Sequence, residues 1–219
     1  MGELLLPERC IGCGAGELSI CELCRSKLRI HPELLGGENF HLAASLTYDD
    51  LSAKIILAAK EDGVRAARTI ISEAIAAAAI VMSKYACISE QSHLELLWVP
   101  TSKPARRRRG GDFLAPIAAQ VALIIERKLD VEVRLHQPFR VRRNVADQSR
   151  LSATDRDRNL QFAFTVHPSW KAVGQVILID DVVTTGSTLR EAVRALQERN
   201  LTVIGAATAC ASRLRKPIR

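Results

Sequence analysis

From residue 45 to residue 212 the chain alternates short continuous apolar runs with longer stretches in which apolar residues return every three or four positions. The first pattern suits strands covered on both faces, and the second suits helices that turn one face to a core. Val176 to Ile179 is a run of the first kind, Leu94 to Val99 and Leu201 to Ala207 also read as strands, and Val131, Val133 and Leu135 alternate with Glu132 and Arg134 as an edge strand would. Leu51, Ile55, Ile56 and Ala59 share a face of one helix, and Val64, Ala67, Ile71, Ala74, Ile75 and Ala78 share a face of the next, with Asp62 and Gly63 between them. Phe113 to Lys128 predicts a further helix with Asp112 as its N-cap. Leu189, Ala192, Val193 and Leu196 predict another. Strand and helix alternating in this way predict an α/β fold with a mainly parallel sheet flanked by helices, whose ligands lie beyond the carboxyl ends of the strands.

The pattern fails at both ends. His31 to Ala44 contains Pro32, Gly36 and Gly37 without a sustained period, so residues 31–44 read as a linker between a small domain at 1–30 and a large one at 45–212. Residues 213–219 form a basic tail. The alanine-rich run from Thr69 to Met82 is short for a membrane span and contains Ser72 and Glu73, so it predicts a buried helix. The N-terminus shows no charged segment followed by a long apolar core, so a cytoplasmic protein with no membrane partner is expected.

The longest legible stretch runs from Val176 to Val193. An apolar strand ends in Asp180 and Asp181, and Thr184, Thr185, Gly186, Ser187 and Thr188 then lead into a helix. Gly186 permits a tight turn, the hydroxyls donate hydrogen bonds, and the unpaired N–H groups of the first helical turn face whatever anion sits there. The acids beside this phosphate cup can accept hydrogen bonds from ribose hydroxyls or contact hydrated magnesium. Phosphate on one side and a diol on the other describe a sugar phosphate. The bland alternative is a polar strand end followed by an ordinary helix cap.

Cys10-x-x-Cys13 and Cys21-x-x-Cys24 have the spacing with which two tight turns bring four sulfurs into a tetrahedral zinc site. Four thiolates leave no open position, which makes the metal structural, and a segment this short would take its folding energy from the metal. His31 and His41 are substitute ligands that such a site does not need. Cys87 and Cys210 stand alone and read as buried small hydrophobes.

A net charge of +7 favours anionic partners without choosing among them. Two segments concentrate that charge. Thr101 to Gly110 carries Lys103, Arg106, Arg107, Arg108 and Arg109 as a loop leaving a strand, where it would reach the same sheet edge as the phosphate cup and suit a pyrophosphate. Its bland reading is a solvated charge run. Arg140 to Asn159, with Arg142, Arg143, Gln148, Arg150 and Arg156, is a candidate mobile lid.

Ile177 to Thr188 resembles the binding signature of type I phosphoribosyltransferases, Asp-Asp-x-x-Thr-Thr-Gly-x-Thr after an apolar strand, with every position filled. The resemblance implies that Asp180 and Asp181 hold the ribose hydroxyls of phosphoribosyl pyrophosphate (PRPP) with magnesium, and that Thr184 to Thr188 hold its 5-phosphate. With the cysteines, Tyr48, Lys60 and Gly63, Val99-Pro100, the Arg106 to Gly110 run, and Arg142-Arg143 with Gln148, Leu151, Arg156, Asn159 and Ala163-Phe164, nearly the whole chain resembles the ComF family. That family joins a zinc finger to a phosphoribosyltransferase-like domain. It often continues its arginine run with Gly-Phe-Asn-Gln, whereas this chain has Gly110-Gly111-Asp112-Phe113.

Two functions follow from the resemblance. One is an enzyme that transfers ribose 5-phosphate from PRPP to a nitrogenous base, with magnesium in the site and zinc in the finger. The other is a non-catalytic competence accessory that binds single-stranded DNA or a DNA-processing partner. Sparse aromatics, 4% of the chain, weaken the DNA version, because single-strand grooves stack bases on aromatic rings. Trp98 and Trp170 read as packing residues.

Overall fold

A computed structural model describes residues 9–16, 19–36, 40–87, 93–101, 103–142 and 160–212. In chain order its elements are α1 (Glu22–Lys27), β1 (Glu33–Leu35), β2 (Leu42–Thr47), α2 (Asp50–Lys60), α3 (Arg65–Tyr85), β3 (Leu94–Trp98), α4 (Lys103–Arg109), α5 (Leu114–Leu129), β4 (Val133–His136), β5 (Phe139–Val141), β6 (Phe164–Val166), β7 (Gln175–Val183), α6 (Ser187–Gln197) and β8 (Val203–Ala211). Six strands make one sheet in the order β1-β2-β8-β7-β3-β4, parallel except for the β1–β2 pair. The apolar run at 176–179 lies fully buried in a central strand, as its lack of alternation requires.

The connections decide where a ligand can sit. From β3 the chain moves outward through α4 and α5 to β4, but from β7, the neighbour of β3, it returns through α6 to β8 on the other side. Right-handed crossovers in opposite directions put their helices on opposite faces of the sheet. Accordingly α3 and α5 pack together over β2, β8, β7 and β3, while α6 packs on β8 and on β6 of the separate β5–β6 hairpin. The ends of β3 and β7 therefore diverge, and a crevice opens between their loops.

Helix α3 has 21 residues and a mean hydropathy of 1.5 over its most apolar window, long and apolar enough to cross a bilayer. Its apolar face is instead covered by the sheet and α5, with Ala67, Ile71, Ala74, Ile75 and Ala78 fully buried. It is the core helix that its alanine-rich pattern predicts. Helix α2 starts with a capping box in which Asp49 accepts from the Ser52 N–H while the Ser52 hydroxyl accepts from the Asp49 N–H, each at 2.8 Å.

The stretch at 31–44, expected to be a linker, instead supplies β1 and the first half of β2. Leu42-Ala-Ala-Ser-Leu-Thr hides its strand character behind small residues. Its Ser45 is buried and satisfied, donating to the Ala74 carbonyl at 2.6 Å. The arginine run expected as a loop is helix α4, consistent with arginine's good helix propensity. Asp112 lies one position before the N-cap of α5, yet it does accept from the Leu114 N–H at 3.1 Å. Cys210 is buried, but Cys87 is exposed at the end of α3 with a left-handed backbone, so it is no core residue. The lid expected over 140–159 begins inside β5 at Arg140, and Arg143 onward to Asn159 lies outside the described residues, as does the tail at 213–219.

Candidate functional site

The crevice holds a cleft of about 510 Å³ lined by residues from both divergent loops and from α2. On its floor β7 extends past its apolar run to present Asp180 and Asp181, both buried, and the Asp181 N–H donates to Asp180 Oδ1 at 2.8 Å. Neighbouring carboxylates out of water repel each other. Burial first, and then the charge of Asp181, hold the Asp180 carboxyl well above its ordinary range. The site is thus short of positive charge.

Lys60, the last residue of α2, meets part of that demand. Its ammonium pairs with Asp181 and lies 5.5 Å from the centre of the Phe113 ring. Burial works against the Lys60 charge, but Asp181 and then Asp180 outweigh it and raise the pKa. Glu61 follows at the helix end and accepts two hydrogen bonds from Arg109, at 2.7 and 3.2 Å, with Arg108 at 3.7 Å. These contacts draw Arg108 and Arg109 to the cleft wall.

Above the acids the chain turns through Thr184 to Thr188. Gly186 takes φ +78°, the left-handed conformation that starts α6 without a side-chain cap. Thr185 Oγ1 and Ser187 Oγ are 2.6 Å apart, and the Ser187 N–H points to Thr185 Oγ1 at 3.4 Å. From one turn into α6, Arg190 donates to the Thr185 carbonyl at 2.7 Å and to Ser187 Oγ at 3.4 Å, bracing the loop from behind. Hydroxyls, the N–H groups of a helix start and an arginine converge there. Such a loop can cradle a phosphate, and the acid pair can accept a diol or a hydrated divalent cation.

The separate β5–β6 hairpin is fastened to α6 by an ion pair between buried Glu191 and half-buried Arg194. Glu191 accepts from Arg194 at 2.7 and 2.8 Å and from the Phe164 N–H at 2.9 Å, while Arg194 donates to the Phe164 carbonyl and stacks on Phe162. Glu191 is the chief cause of the raised Arg194 pKa.

Asp180, Asp181, Thr184, Thr185, Gly186, Ser187 and Thr188 line one cleft, but the basic segments are divided. Arg108 and Arg109 line the cleft, whereas Arg106 and Arg107 are exposed and are not among the lining residues. Lys103 stands in the first turn of α4. Arg142 is exposed with its backbone N–H bonded to Ala163 and does not line the cleft, and Arg143 lies outside the described residues. Lys60 had been singled out only by resemblance, and Glu61 and Arg190 not at all. The only local signal was Lys60-Glu61 at a predicted helix end. Trp98 packs as expected and donates to Asp112 at 3.2 Å. Trp170 packs against His136.

At the other end of α2, the sulfurs of Cys10, Cys13, Cys21 and Cys24 all lie within 4.8 Å of one another, and Cys13 and Cys21 are 3.7 Å apart. A tetrahedron with metal–sulfur bonds of about 2.3 Å has edges of about 3.8 Å, so the spacing fits zinc. Burial opposes ionisation of Cys10, but the N–H groups of Cys13, Cys21 and Gly12 overcome it and bring its thiol down to about 6. Burial and the adjacent sulfurs push Cys24 up to about 12. A zinc ion bound there would favour the thiolate form of its ligands. Neither His31, which lies near Glu33, nor His41, which packs edge-on to Tyr85, joins the cluster. The knuckle docks on α2 through Lys54, which donates to the Gly12 carbonyl at 2.9 Å. A Cβ on Gly12 would meet Cys24 Sγ at 2.6 Å and Leu51 at 2.7 Å.

Residues 113–218 match the phosphoribosyl transferase domain family. The fold is accordingly phosphoribosyltransferase-like, a mainly parallel sheet flanked by helices, with a small four-cysteine region before it. No curated protein matches the chain. Among solved structures it is similar to an HPRT in which an aspartic acid is replaced by alanine, at 16% identity over 69% of this chain and 71% of that one, with a TM-score of 0.40. Adenine phosphoribosyltransferase from Rhodothermus marinus aligns at 12% identity over 87% and 88%, TM-score 0.35. Orotate phosphoribosyltransferase from Aeropyrum pernix aligns at 13% over 77% and 80%, TM-score 0.33.

Proposed function

We propose that the protein binds PRPP with magnesium and transfers ribose 5-phosphate to a nitrogenous base, as a cytoplasmic phosphoribosyltransferase of ComF type. The observation that carries the reading is one cleft, at the divergence of β3 and β7, holding both the acid pair and the Thr184 to Thr188 loop. In this reading the loop and the α6 N-terminus take the 5-phosphate, Asp180 and Asp181 take the ribose hydroxyls and the metal, and Arg108 and Arg109 face the pyrophosphate. Bound magnesium supplies charge neutralisation to the leaving group. The bond between C1 and the pyrophosphate oxygen breaks, pyrophosphate leaves with the electron pair, a base nitrogen bonds to C1, and the base's proton passes to the departing pyrophosphate or to water. The carbocation-like centre needs electrostatic support more than a protein nucleophile.

Calorimetry with PRPP and magnesium, followed by pyrophosphate release with a panel of bases, tests the reading. A ligand present at about a hundred times its dissociation constant stabilises the fold by roughly 2.7 kcal/mol, a shift that a melt resolves. Asp180→Asn with Asp181→Asn should abolish that shift while the unliganded protein stays folded. A double variant that keeps it would overturn the assignment of the cleft. Binding without turnover would favour a PRPP sensor, and oligonucleotide binding in place of PRPP would favour the accessory role.

A further inference from the structure

We propose that the acceptor is an aromatic nitrogen heterocycle and that Tyr48 stacks on its ring, on the side of the cleft away from the arginine wall. The inference rests on the sugar-phosphate reading of the cleft and narrows the acceptor that this reading leaves open.

The strand order sets the two sides. Asp180 and Asp181 lie near the end of β7, which has β3 on one side and β8, then β2, on the other. Arg108 and Arg109 stand on α4, the element after β3, so a pyrophosphate that faces them lies on the β3 side. The leaving group covers the face of C1 from which it departs, and a nucleophile aligned for attack comes from the opposite face. That is the side of β8 and β2, and Tyr48 is the first residue beyond β2.

The register puts Tyr48 level with the reacting region. Thr47 pairs with Ala211 and Ala211 with Val183, in one row across β2, β8 and β7. One residue further on, the Tyr48 N–H donates to the Ala211 carbonyl at 2.9 Å, and the Ser212 N–H donates to the Val183 carbonyl at 3.0 Å. Tyr48 thus stands at the level of Thr184, where the phosphate loop begins, and two strand spacings away from it, about 10 Å. A heterocycle bonded to C1 of a ribose held over β7 extends into that interval.

The side chain suits the role. Among the described residues two aromatic rings line the cleft. Phe113 is buried beside the Lys60 ammonium, whereas Tyr48 is 42% exposed and keeps a face open to a ligand. Its main chain is fixed by the bond to Ala211 and by the capping box that starts at Asp49, so only two side-chain torsions remain to be ordered. A tyrosine face holds a flat heterocycle and offers much less to ammonia or an aliphatic amine. In the transfer itself the ring nitrogen's lone pair forms the bond to C1 as the C1–oxygen pair leaves with pyrophosphate, and the proton passes to pyrophosphate or water. Tyr48 orients the acceptor and exchanges no proton with it.

The probes are ribose 5-phosphate and two nucleotides, AMP and UMP, which add a base at C1 to the same sugar phosphate. Each is titrated with magnesium by calorimetry into the zinc-loaded full chain as wild type, Tyr48→Phe, Tyr48→Leu and Tyr48→Ala. Zinc content and a melt establish that each variant is folded, and Tyr48→Leu carries the test if Tyr48→Ala does not fold. Wild type should bind at least one nucleotide about tenfold more tightly than ribose 5-phosphate, because stacking a base on an aromatic ring is worth that much. Tyr48→Phe should keep this advantage and Tyr48→Leu and Tyr48→Ala should lose it, with the affinity for ribose 5-phosphate unchanged in all three. No nucleotide advantage in wild type overturns the inference and points to a non-aromatic acceptor. A full advantage in Tyr48→Leu or Tyr48→Ala also overturns it, because a ring that merely fills space is replaced by leucine without loss. So does an equal loss of nucleotide and ribose 5-phosphate, which would make Tyr48 a support of the cleft as a whole. Failure of wild type to bind either ribose 5-phosphate or PRPP overturns the sugar-phosphate reading itself.

Discussion

The knuckle and the cleft sit at opposite ends of α2 and gather their charged groups by opposite means. The knuckle has four sulfurs on two short turns and almost no core of its own, and without a cation its buried Cys10 and Cys24 are driven apart in acidity. The cleft's groups stand on a buried sheet: β7, β3 and the start of α6 hold the acids and the loop in place through packing that does not involve a ligand. The first arrangement suits a site that a metal would assemble, and the second is held by the packing of the sheet itself. Helix α2 joins them, receiving the knuckle on Leu51 and Lys54 and ending in Lys60 and Glu61 at the cleft.

Removing zinc should separate the two regions most strongly. Structural zinc sites in small fingers contribute about 10–16 kcal/mol of apparent binding energy, which is their folding energy. Chelation, or Cys21→Ala with Cys24→Ala, should therefore erase hydrogen-exchange protection across residues 10–27 while α3 and β7 remain protected. Loss of protection in β7 at the same rate would show that the sheet depends on the metal and would end the contrast.

Glu191→Ala attacks the side held by packing. It leaves the Phe164 N–H without its acceptor and Arg194 with Glu198 as its remaining carboxylate partner, and leaving a buried donor unsatisfied costs about 1–3 kcal/mol. A urea titration should show the loss, and zinc content should stay at one equivalent. A loss below about 1 kcal/mol would mean that water replaces the carboxylate at no great cost.

Gly12→Ala attacks the join. Its Cβ would overlap Cys24 Sγ and Leu51, and overpacking of this kind costs about 1–3 kcal/mol. Weaker zinc retention in a chelator competition, with unaltered phosphate-loop binding of ribose 5-phosphate, is the expected result. Equal damage to both would make α2 a transmitter between the two sites.

The same contrast explains what the sequence disclosed. The knuckle is legible as spacing alone, because all four ligands fall within fifteen residues and tight turns do the rest. The acid pair and the phosphate loop are legible because they are contiguous with one apolar strand. What was hidden depends on distant partners. Nothing local tells that Lys60 meets Asp181, or that Arg109 turns inward to Glu61 while Arg106 and Arg107 stay outside. Strand β2 was hidden for a related reason: Ala43, Ala44 and Ser45 carry no strand signal of their own and are strand only because β8 pairs with them and α3 covers them. The β5–β6 hairpin unites Arg140 with Thr165 across a stretch whose composition suggested a lid.

Glu61→Gln should have the smallest effect and bears on the cleft end of α2. Hydrogen bonding from Arg109 is the main cause that holds the Glu61 carboxyl below its ordinary value near 4.5, with Arg108 adding to it. A group whose folded pKa is depressed contributes stability that is present above the unfolded pKa and is lost as pH falls through the lower folded value. The Glu61 side chain is 35% exposed, so screening by solvent limits the contribution to less than about 1 kcal/mol. Urea midpoints should therefore differ slightly between wild type and Glu61→Gln at pH 7, and the difference should shrink below pH 4.5 and in high salt. Arg109 loses a competing anion in the variant, so PRPP should bind at least as tightly as in wild type. A large, salt-insensitive loss of stability would instead make the α2–α4 contact structural, and weaker PRPP binding would show that Glu61 is needed to aim Arg109 into the cleft.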